Sequence, residues 1–144
     1  MKYTGERYVP ESVKSALISF EHWHRYLYAR RFVANKCVLD VACGTGYGTN
    51  LLSKVAANVN GIDISNDSIS YAKKKYRSKK LQYSQGDVCQ LPFEDASFDV
   101  ITSFETIEHI DQYQQDLAMK EFQRLLKPEG ILIISTPNLD SDLY

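Results

Sequence analysis

The chain alternates between short apolar runs, typical of buried strands, and segments whose apolar residues recur three or four positions apart, typical of helices. The apolar runs predict five strands, at residues 37–41, 58–64, 81–85, 98–103 and 131–136. The helical segments between them span residues 46–55, 66–77 and 111–126. Strands that alternate with helices form parallel sheets with right-handed crossovers, so the pattern predicts an α/β fold around a mainly parallel sheet.

Residues 1–35 follow a different pattern, which predicts an N-terminal arm and a helix. Residues 1–15 are polar and contain Gly5 and Pro10, as expected of an arm. From residue 16 onward an apolar stripe recurs at helical spacing: Ala16, Phe20, Trp23, Leu27 and Ala34. The stripe leaves His24, Arg25 and Arg31 outside it, so it predicts an amphipathic helix that leads to the first strand.

The last predicted strand follows a clear helix stop. Lys127-Pro128-Glu129-Gly130 ends the preceding helix, because proline cannot extend it and glycine reverses the chain without steric cost. Residues 131–134 that follow are apolar at every position. Such a run predicts a strand with helices on both faces.

Residues 38–48, Val-Leu-Asp-Val-Ala-Cys-Gly-Thr-Gly-Tyr-Gly, join an apolar run to three alternating glycines. Gly44, Gly46 and Gly48 lack Cβ, so they allow unusual dihedrals and close approach of a ligand to the main chain. Asp63 ends the next apolar run, seventeen residues after Gly46. A glycine loop after one strand and a carboxylate after the next are typical of an adenosine site, with the acid on the ribose hydroxyls.

Composition narrows the class of protein. A length of 144 residues predicts one domain, and 17 basic against 18 acidic residues give no sign of a nucleic-acid partner. The three cysteines, Cys37, Cys43 and Cys89, are too scattered for a metal site, and we expect no metal. No stretch resembles a signal peptide or a membrane span, which favours a soluble, cytoplasmic enzyme without membrane contact.

Five motifs occur in a fixed order: the glycine loop, Asp63, Gly86-Asp87, the strand Phe98-Asp99-Val100-Ile101 and the segment 126–130. With these motifs the chain resembles the Class I S-adenosylmethionine-dependent methyltransferases of the type 11 kind, from about residue 37 to 138. The resemblance implies a Rossmann-like, doubly wound sheet of strand order 3-2-1-4-5. It also implies S-adenosyl-L-methionine as the cofactor.

The N-terminal region carries a second resemblance. The segment Thr4-Gly5-Glu6-Arg7-Tyr8-Val9-Pro10, together with Glu21-His22-Trp23-His24-Arg25-Tyr26, resembles the opening of certain bacterial methyltransferases. Those enzymes are encoded with, or fused to, enzymes of sugar and polysaccharide biosynthesis. This resemblance implies a sugar-related acceptor.

The resemblance implies cofactor-binding roles for matching residues. The backbone around Ala42, Gly44 and Gly46 would line the methionine half of the cofactor, although the family often has glycine in place of Ala42. Asp63 would bind both ribose hydroxyls, and Asp40, beneath the loop, would orient the loop amides. Ile64 would pack on the face of adenine, Asp87 would accept a hydrogen bond from its amino group, and Val88 would lie beside the ring. Three residues after the fourth strand would close over the cofactor: Ser103, Phe104 and Glu105.

Other candidates come from side-chain chemistry. Arg25 and Arg7 match the cofactor carboxylate, because a guanidinium binds that group bidentately, and solvation at the surface is the alternative. Tyr8, with Tyr3 and Tyr26, is a candidate for the pocket wall. His109 and Glu105 are candidates for a general base, although a histidine near a helix start is often structural.

The favoured function is methyl transfer to an oxygen or nitrogen of a small molecule or sugar, and a base is needed only for an oxygen acceptor. One alternative is a nicotinamide-dependent oxidoreductase, whose fingerprint requires a glycine where this chain has Thr49. Another alternative is a fragment that binds the cofactor without catalysis.

The length of the chain also differs from the family. Family members usually continue into a helix and two antiparallel strands, whereas this chain ends at Tyr144. We therefore expect residues 1–144 to form a single domain that is truncated at its C-terminus and lacks those strands. The flat apolar edge left by such a truncation predicts pairing of two chains into a homodimer.

Overall fold

The computed structural model describes residues 16–137, with side chains from residue 20 onward. Within that range five strands form one sheet: β1 (Cys37–Val41), β2 (Asn58–Asp63), β3 (Leu81–Gln85), β4 (Phe98–Phe104) and β5 (Leu126–Ser135). The strand order is β3-β2-β1-β4-β5, and every neighbouring pair is parallel. This confirms the predicted α/β, Rossmann-like fold and its strand order.

Helices lie on both faces of the sheet. They are α1 (Ala16–Val33), α2 (Tyr47–Ser53), α3 (Asn66–Lys75) and α4 (Gln112–Leu125), with a short 3-10 turn at Ile107–His109. Val38 packs in the cluster formed with α1, α2 and α3, whereas its neighbour Leu39 packs in the cluster formed with α4. Because successive side chains of β1 enter different cores, its positions 38–41 are all buried.

The packing face of α1 differs from the predicted stripe. Phe20 and Trp23 are 57% and 40% exposed, whereas Tyr26, Ala29 and Val33 are buried against the sheet. Apolar residues occur on both sides of this helix, so their spacing alone does not decide which side packs. Ala29 allows close approach, and the hydroxyl of Tyr26 reaches a buried partner in β1, which favours the observed face.

The start of β5 also differs from the prediction. Helix α4 ends at Leu125, close to the predicted end, but pairing with β4 already begins at Leu126. Leu126 pairs with Phe98 of β4, and the next paired residue of β5, Ile131, pairs with Val100. The residues of β5 between Leu126 and Ile131 outnumber those of β4 between Phe98 and Val100, so they form a bulge. Lys127 contacts Asp99 there, with 3.3 Å between Nζ and Oδ1.

Strand β5 is less covered than its apolar sequence predicts. Ile131 and Ile134 are each 39% exposed, and β5 is the edge strand of the five described. The expectation that helices cover both of its faces is therefore wrong for residues 126–135. No helix within residues 16–137 is long and apolar enough to cross a bilayer.

Candidate functional site

A cavity of about 590 Å³ opens at the carboxyl ends of β1, β2 and β4. Strand β1 lies between β2 and β4, so the direction in which strands are added to the sheet reverses beside β1. Ligands of open α/β sheets bind at such a reversal. The cavity is lined by residues from the glycine loop, from the ends of β2 and β4, from the 3-10 turn and from α1.

The glycine loop presents its first half to the cavity. Ala42, Cys43, Gly44 and Thr45 line it, and Ala42 and Gly44 adopt left-handed backbone conformations, with φ of 60° and 58°. For alanine this conformation costs roughly 1–2 kcal/mol. The glycine that the family often has in place of Ala42 would avoid this cost, so the alanine is tolerated at some strain.

Gly46 and Gly48 do not line the cavity, contrary to the prediction for Gly46 as a ligand-lining position. A Cβ on Gly46 would lie 2.7 Å from Cβ of Ala72 and 2.9 Å from the ring of Tyr83. A Cβ on Gly48 would lie about 2.0 Å from the ring of Tyr26. These two glycines therefore allow protein side chains, rather than a ligand, to approach the loop.

Asp63 stands at the end of β2 with its carboxylate held in place by the backbone. The amide of Gly44 donates to Oδ2 and the amide of Ser65 donates to Oδ1, each at 2.9 Å. The residue is buried and lines the cavity. A carboxylate oxygen can accept more than one hydrogen bond, so these two amides alone do not saturate the carboxylate.

The neighbouring wall combines an apolar surface with a second carboxylate. Ile64 is 60% exposed and lines the cavity, together with Asp87 and Val88. Asp87 accepts a hydrogen bond of 2.8 Å from the amide of Cys89. An exposed isoleucine beside oriented acceptors suits a flat heterocycle that carries an amino group.

Asp40 lies beneath the loop and outside the cavity lining. Its carboxylate accepts hydrogen bonds from three hydroxyls, those of Thr49 and Thr102 at 2.8 Å and that of Tyr26 at 3.1 Å. The structure therefore corrects its predicted role, because its partners are hydroxyls on α1, α2 and β4 rather than loop amides. Complete burial raises the pKa of Asp40 to about 6, although these hydrogen bonds oppose the rise.

The far end of the cavity carries charged side chains from α1 and from the loop after β4. Nη2 of Arg25 lies 2.6 Å from Oε1 of Glu105. The guanidinium predicted to bind a cofactor carboxylate is therefore paired with a protein carboxylate, although Arg25 does line the cavity. Glu105 itself has a φ of 53°, a conformation that non-glycine residues rarely adopt.

Glu108 and His109 complete this end from the 3-10 turn. The side chain of His109 is 50% exposed, and its Nε2 lies 3.4 Å from Oε1 of Glu108. Both carboxylate oxygens of Glu108 and Oε2 of Glu105 are buried without a hydrogen-bond partner in the described part of the chain. Desolvation, followed by the charge of Glu105, raises the pKa of Glu108.

Comparison with known proteins shows the family to which the chain belongs. Residues 39–134 match the family model described as "Methyltransferase domain", which covers most of the sheet and the cavity. The chain belongs to the methyltransferase domain family. The matched range begins in β1 and ends in β5, so it contains the glycine loop, Asp63, Asp87 and Glu108.

The curated relatives of this methyltransferase domain are longer than this chain. It is 34% identical to a probable S-adenosylmethionine-dependent methyltransferase of Mycolicibacterium smegmatis, over 94% of this chain and 51% of that protein. It is 39% identical to a demethylmenaquinone methyltransferase of Staphylococcus aureus, over 66% of this chain and 40% of that protein. The chain thus spans about half the length of the curated relatives it matches.

Solved structures share the fold of this methyltransferase domain. The PH0226 protein of Pyrococcus horikoshii OT3 superposes with a TM-score of 0.75 and 30% identity. The superposition covers 92% of this chain and 62% of that one. S-adenosyl-L-methionine is the cofactor named for relatives of the domain, including a structure from Mesorhizobium loti.

The residues of the domain fit this cofactor. Asp63 offers acceptor capacity to ribose hydroxyls, Ile64 offers an apolar face, and Gly44 exposes backbone without a side chain. No group of three or more histidine, cysteine or acidic side chains within residues 16–137 is arranged to hold a metal ion.

Two other predicted residues occupy different positions. Ser103 is 1% exposed and does not line the cavity, because successive residues of β4 face opposite sides of the sheet. Phe104 does line the cavity and packs edge-on against Tyr26, with ring centroids 4.9 Å apart. Tyr8, with Arg7 and Tyr3, lies outside the described residues.

The sequence reasoning missed several cavity-lining residues, among them Glu21, His22 and Glu108. His22 precedes Tyr26 by one helical turn, so the packing face of α1 would have identified it. Burial, and then the charge of Arg25, lowers the pKa of His22 to about 4, so it is neutral near pH 7. Glu108 follows Glu105 by three residues, a spacing that brings side chains together in a helical turn.

Proposed function

We propose that the chain is an S-adenosylmethionine-dependent methyltransferase that transfers a methyl group to an oxygen or nitrogen of a small molecule or sugar. The observation that carries this proposal is one cavity with two chemically different groups of lining residues, one around Asp63 and one around Glu108. The end at Asp63 has oriented acceptors and an apolar wall, as an adenosine requires. The end at Glu108 has charged side chains that could bind and activate an acceptor.

In this proposal the cofactor's adenosine lies between Ile64 and Asp87, with its ribose on Asp63. Val88 lies beside adenine, and the backbone of Ala42 and Gly44 faces the methionine half. All of these residues line the same cavity. The supporting geometry is the pair of amides that fixes both oxygens of Asp63 before any ligand arrives.

The bound cofactor supplies an electrophilic methyl group on a positively charged sulfur. The protein's task is to align the acceptor with that methyl group and to exclude water. Phe104 closes one side of the cavity, while Arg25 and Glu105 join α1 to the end of β4. For an oxygen acceptor, Glu105 and His109 remain candidates for the general base, since both line the cavity.

The structure gives a reason to disfavour the nicotinamide-dependent alternative. In the dinucleotide fingerprint the third glycine allows a helix to pack closely against a strand. At that position this chain has Thr49, whose hydroxyl donates a hydrogen bond of 2.8 Å to Asp40. We therefore keep methyl transfer as the proposed function.

Isothermal titration of the full chain with S-adenosylhomocysteine and, separately, with NADH tests the cofactor. We expect saturable binding of S-adenosylhomocysteine and none of NADH. Methyl transfer is then measured with methyl-labelled S-adenosylmethionine and a panel of phenols, amines and sugars. Binding of NADH alone would contradict the proposal, and cofactor binding without transfer to any panel member would contradict the catalytic part.

The acceptor panel also tests which class of compound receives the methyl group. A relative is named for demethylmenaquinone, a ring compound, whereas the N-terminal segment resembles enzymes associated with sugar synthesis. A panel that contains both a naphthol and free monosaccharides distinguishes these classes. Transfer to the monosaccharides only would favour the sugar, and transfer to the naphthol only would favour the ring compound.

A further inference from the structure

We call the part of the cavity lined by Glu105, Glu108 and His109 the acceptor end. Some carboxylate oxygens there accept no hydrogen bond from the described residues. Three such oxygens, both of Glu108 and Oε2 of Glu105, are buried and accept no hydrogen bond within residues 16–137. Oε1 of Glu105, in contrast, is paired with Arg25. Among the residues with described side chains, the imidazole of His109 lies 3.4 Å from Glu108 and is a cation only when that ring is protonated.

Buried carboxylate oxygens without donors are costly, and native structures rarely keep them without a reason. These oxygens belong to residues that line a ligand cavity. Glu108 lines the cavity and keeps 23% of its side-chain surface exposed, but both carboxylate oxygens are buried, so a ligand reaches them only when the side chain turns toward the cavity. A ligand that brings donor hydrogens would satisfy them.

The charges around Glu108 restrict that ligand further. Glu21 and Glu105 are the other acids of this end, Arg25 is engaged by Glu105, and His22 and His109 are the remaining titratable neighbours. The pKa of His22 is lowered to about 4, so His22 adds no positive charge at neutral pH. An anionic acceptor would therefore meet like charge without a free described cation to offset it.

We propose that Glu108 determines acceptor specificity by accepting the donor hydrogen of a neutral hydroxyl on the methyl acceptor. This rests on the proposed function, because it assigns the acceptor to the end of the cavity beyond the cofactor. Acceptors without a donor hydrogen, such as ethers, and acceptors with a carboxylate bind weakly. Glu108 acts here rather than His109, whose ring is half exposed to solvent.

The environment of Glu108 agrees with this role. Desolvation by burial is the largest cause that raises its pKa, which means that the charged carboxylate lacks solvation. A hydroxyl donor from the ligand replaces the missing water. A hydrogen bond to a charged group contributes about ten-fold or more in affinity.

The experiment uses three naphthalenes of nearly equal shape as probes. The full chain is first saturated with S-adenosylhomocysteine, and binding of 2-naphthol, 2-methoxynaphthalene and 2-naphthoate is measured by fluorescence titration. We expect 2-naphthol to bind about ten-fold tighter than either of the other two. In Glu108→Leu the preference over 2-methoxynaphthalene is lost, while affinity for S-adenosylhomocysteine changes by less than about two-fold.

The matched control is Glu94→Gln, since Glu94 is exposed and does not line the cavity. It keeps the full preference for 2-naphthol. A wild-type chain without the preference, or a Glu108→Leu variant that keeps it, overturns this inference while leaving the proposed function intact. Failure of S-adenosylhomocysteine to bind would instead overturn the proposed function, so the two failures are distinguishable.

Discussion

The two ends of the cavity differ in how the protein treats its carboxylates. At the cofactor end, both oxygens of Asp63 accept backbone amides, and Asp40 beneath accepts three hydroxyls. At the acceptor end, Glu108 accepts no hydrogen bond from the described residues. We therefore propose that the first end is oriented before a ligand binds, whereas the second is completed by the ligand.

This contrast is tested most strongly at Asp63. We expect Asp63→Asn to weaken binding of S-adenosylhomocysteine by at least about 100-fold, because two hydrogen bonds to a charged acceptor contribute roughly 1.5–3 kcal/mol each. Isothermal titration measures the affinity, and thermal unfolding shows whether the variant still folds. The control Asp116→Asn lies on the exposed face of α4 and should bind normally. A folded Asp63→Asn variant with wild-type affinity would show that Asp63 does not bind the cofactor.

The rigidity of the cofactor end predicts a large effect at Gly48. Its Cβ would lie about 2.0 Å from the ring of Tyr26, so we expect Gly48→Ala to lower the free energy of unfolding by roughly 1–3 kcal/mol. Chemical denaturation provides the measurement. In a Tyr26→Ala background the same change should cost much less, because the clash is gone. Equal costs in both backgrounds would show that the ring does not set the packing of the loop.

Two titratable groups, the buried Asp40 and the half-buried His22, predict opposite pH effects on stability. Asp40 has a pKa raised from 3.8 to about 6, so its contribution to stability falls as pH rises through that window. His22 has a pKa lowered from 6.5 to about 4, so its contribution falls as pH drops through that window.

Denaturation of Asp40→Asn and His22→Gln between about pH 4 and pH 6 separates these contributions. Relative to wild type, Asp40→Asn should gain stability as pH rises, and His22→Gln should lose stability as pH rises. Parallel profiles for wild type and both variants would mean that neither group titrates differently in the folded chain.

Sequence patterns singled out Gly44 and Asp63, which line the cavity, more readily than Glu108, which also lines it. Gly44 lies in the loop after the first strand and Asp63 ends the second, so two consecutive segments of sequence define their place. Glu108 and Glu21 come from segments far apart in the chain, and only the fold brings them to one cavity. The role of Gly48 depends on a ring from α1 in the same way.

Helix α1 shows why its face could not be predicted from spacing. Its apolar residues surround the helix, and Phe20 and Trp23 remain exposed while Tyr26 is buried. The decisive interaction is the hydrogen bond from Tyr26 to Asp40, fourteen residues away in sequence. A polar contact of this kind leaves no periodic signal.

The smallest predicted effect concerns Arg25, which links the acceptor end to α1. Its ion pair with Glu105 is partly exposed, so Arg25→Gln should cost no more than about 1 kcal/mol of stability. Because the guanidinium is engaged by Glu105, we expect affinity for S-adenosylhomocysteine to change by less than about two-fold in calorimetry. A much larger loss would show that Arg25 binds the cofactor directly, as the sequence suggested.

The central claim is that cofactor and acceptor occupy opposite ends of one cavity. Two-dimensional NMR of the isotope-labelled chain tests it directly, by adding S-adenosylhomocysteine first and 2-naphthol second. We predict that the first addition shifts the amides of Gly44, Ser65 and Val88, and that the second shifts those of Glu108 and His109. Shifts at Glu108 on the first addition, with none at Gly44 or Ser65, would contradict the account.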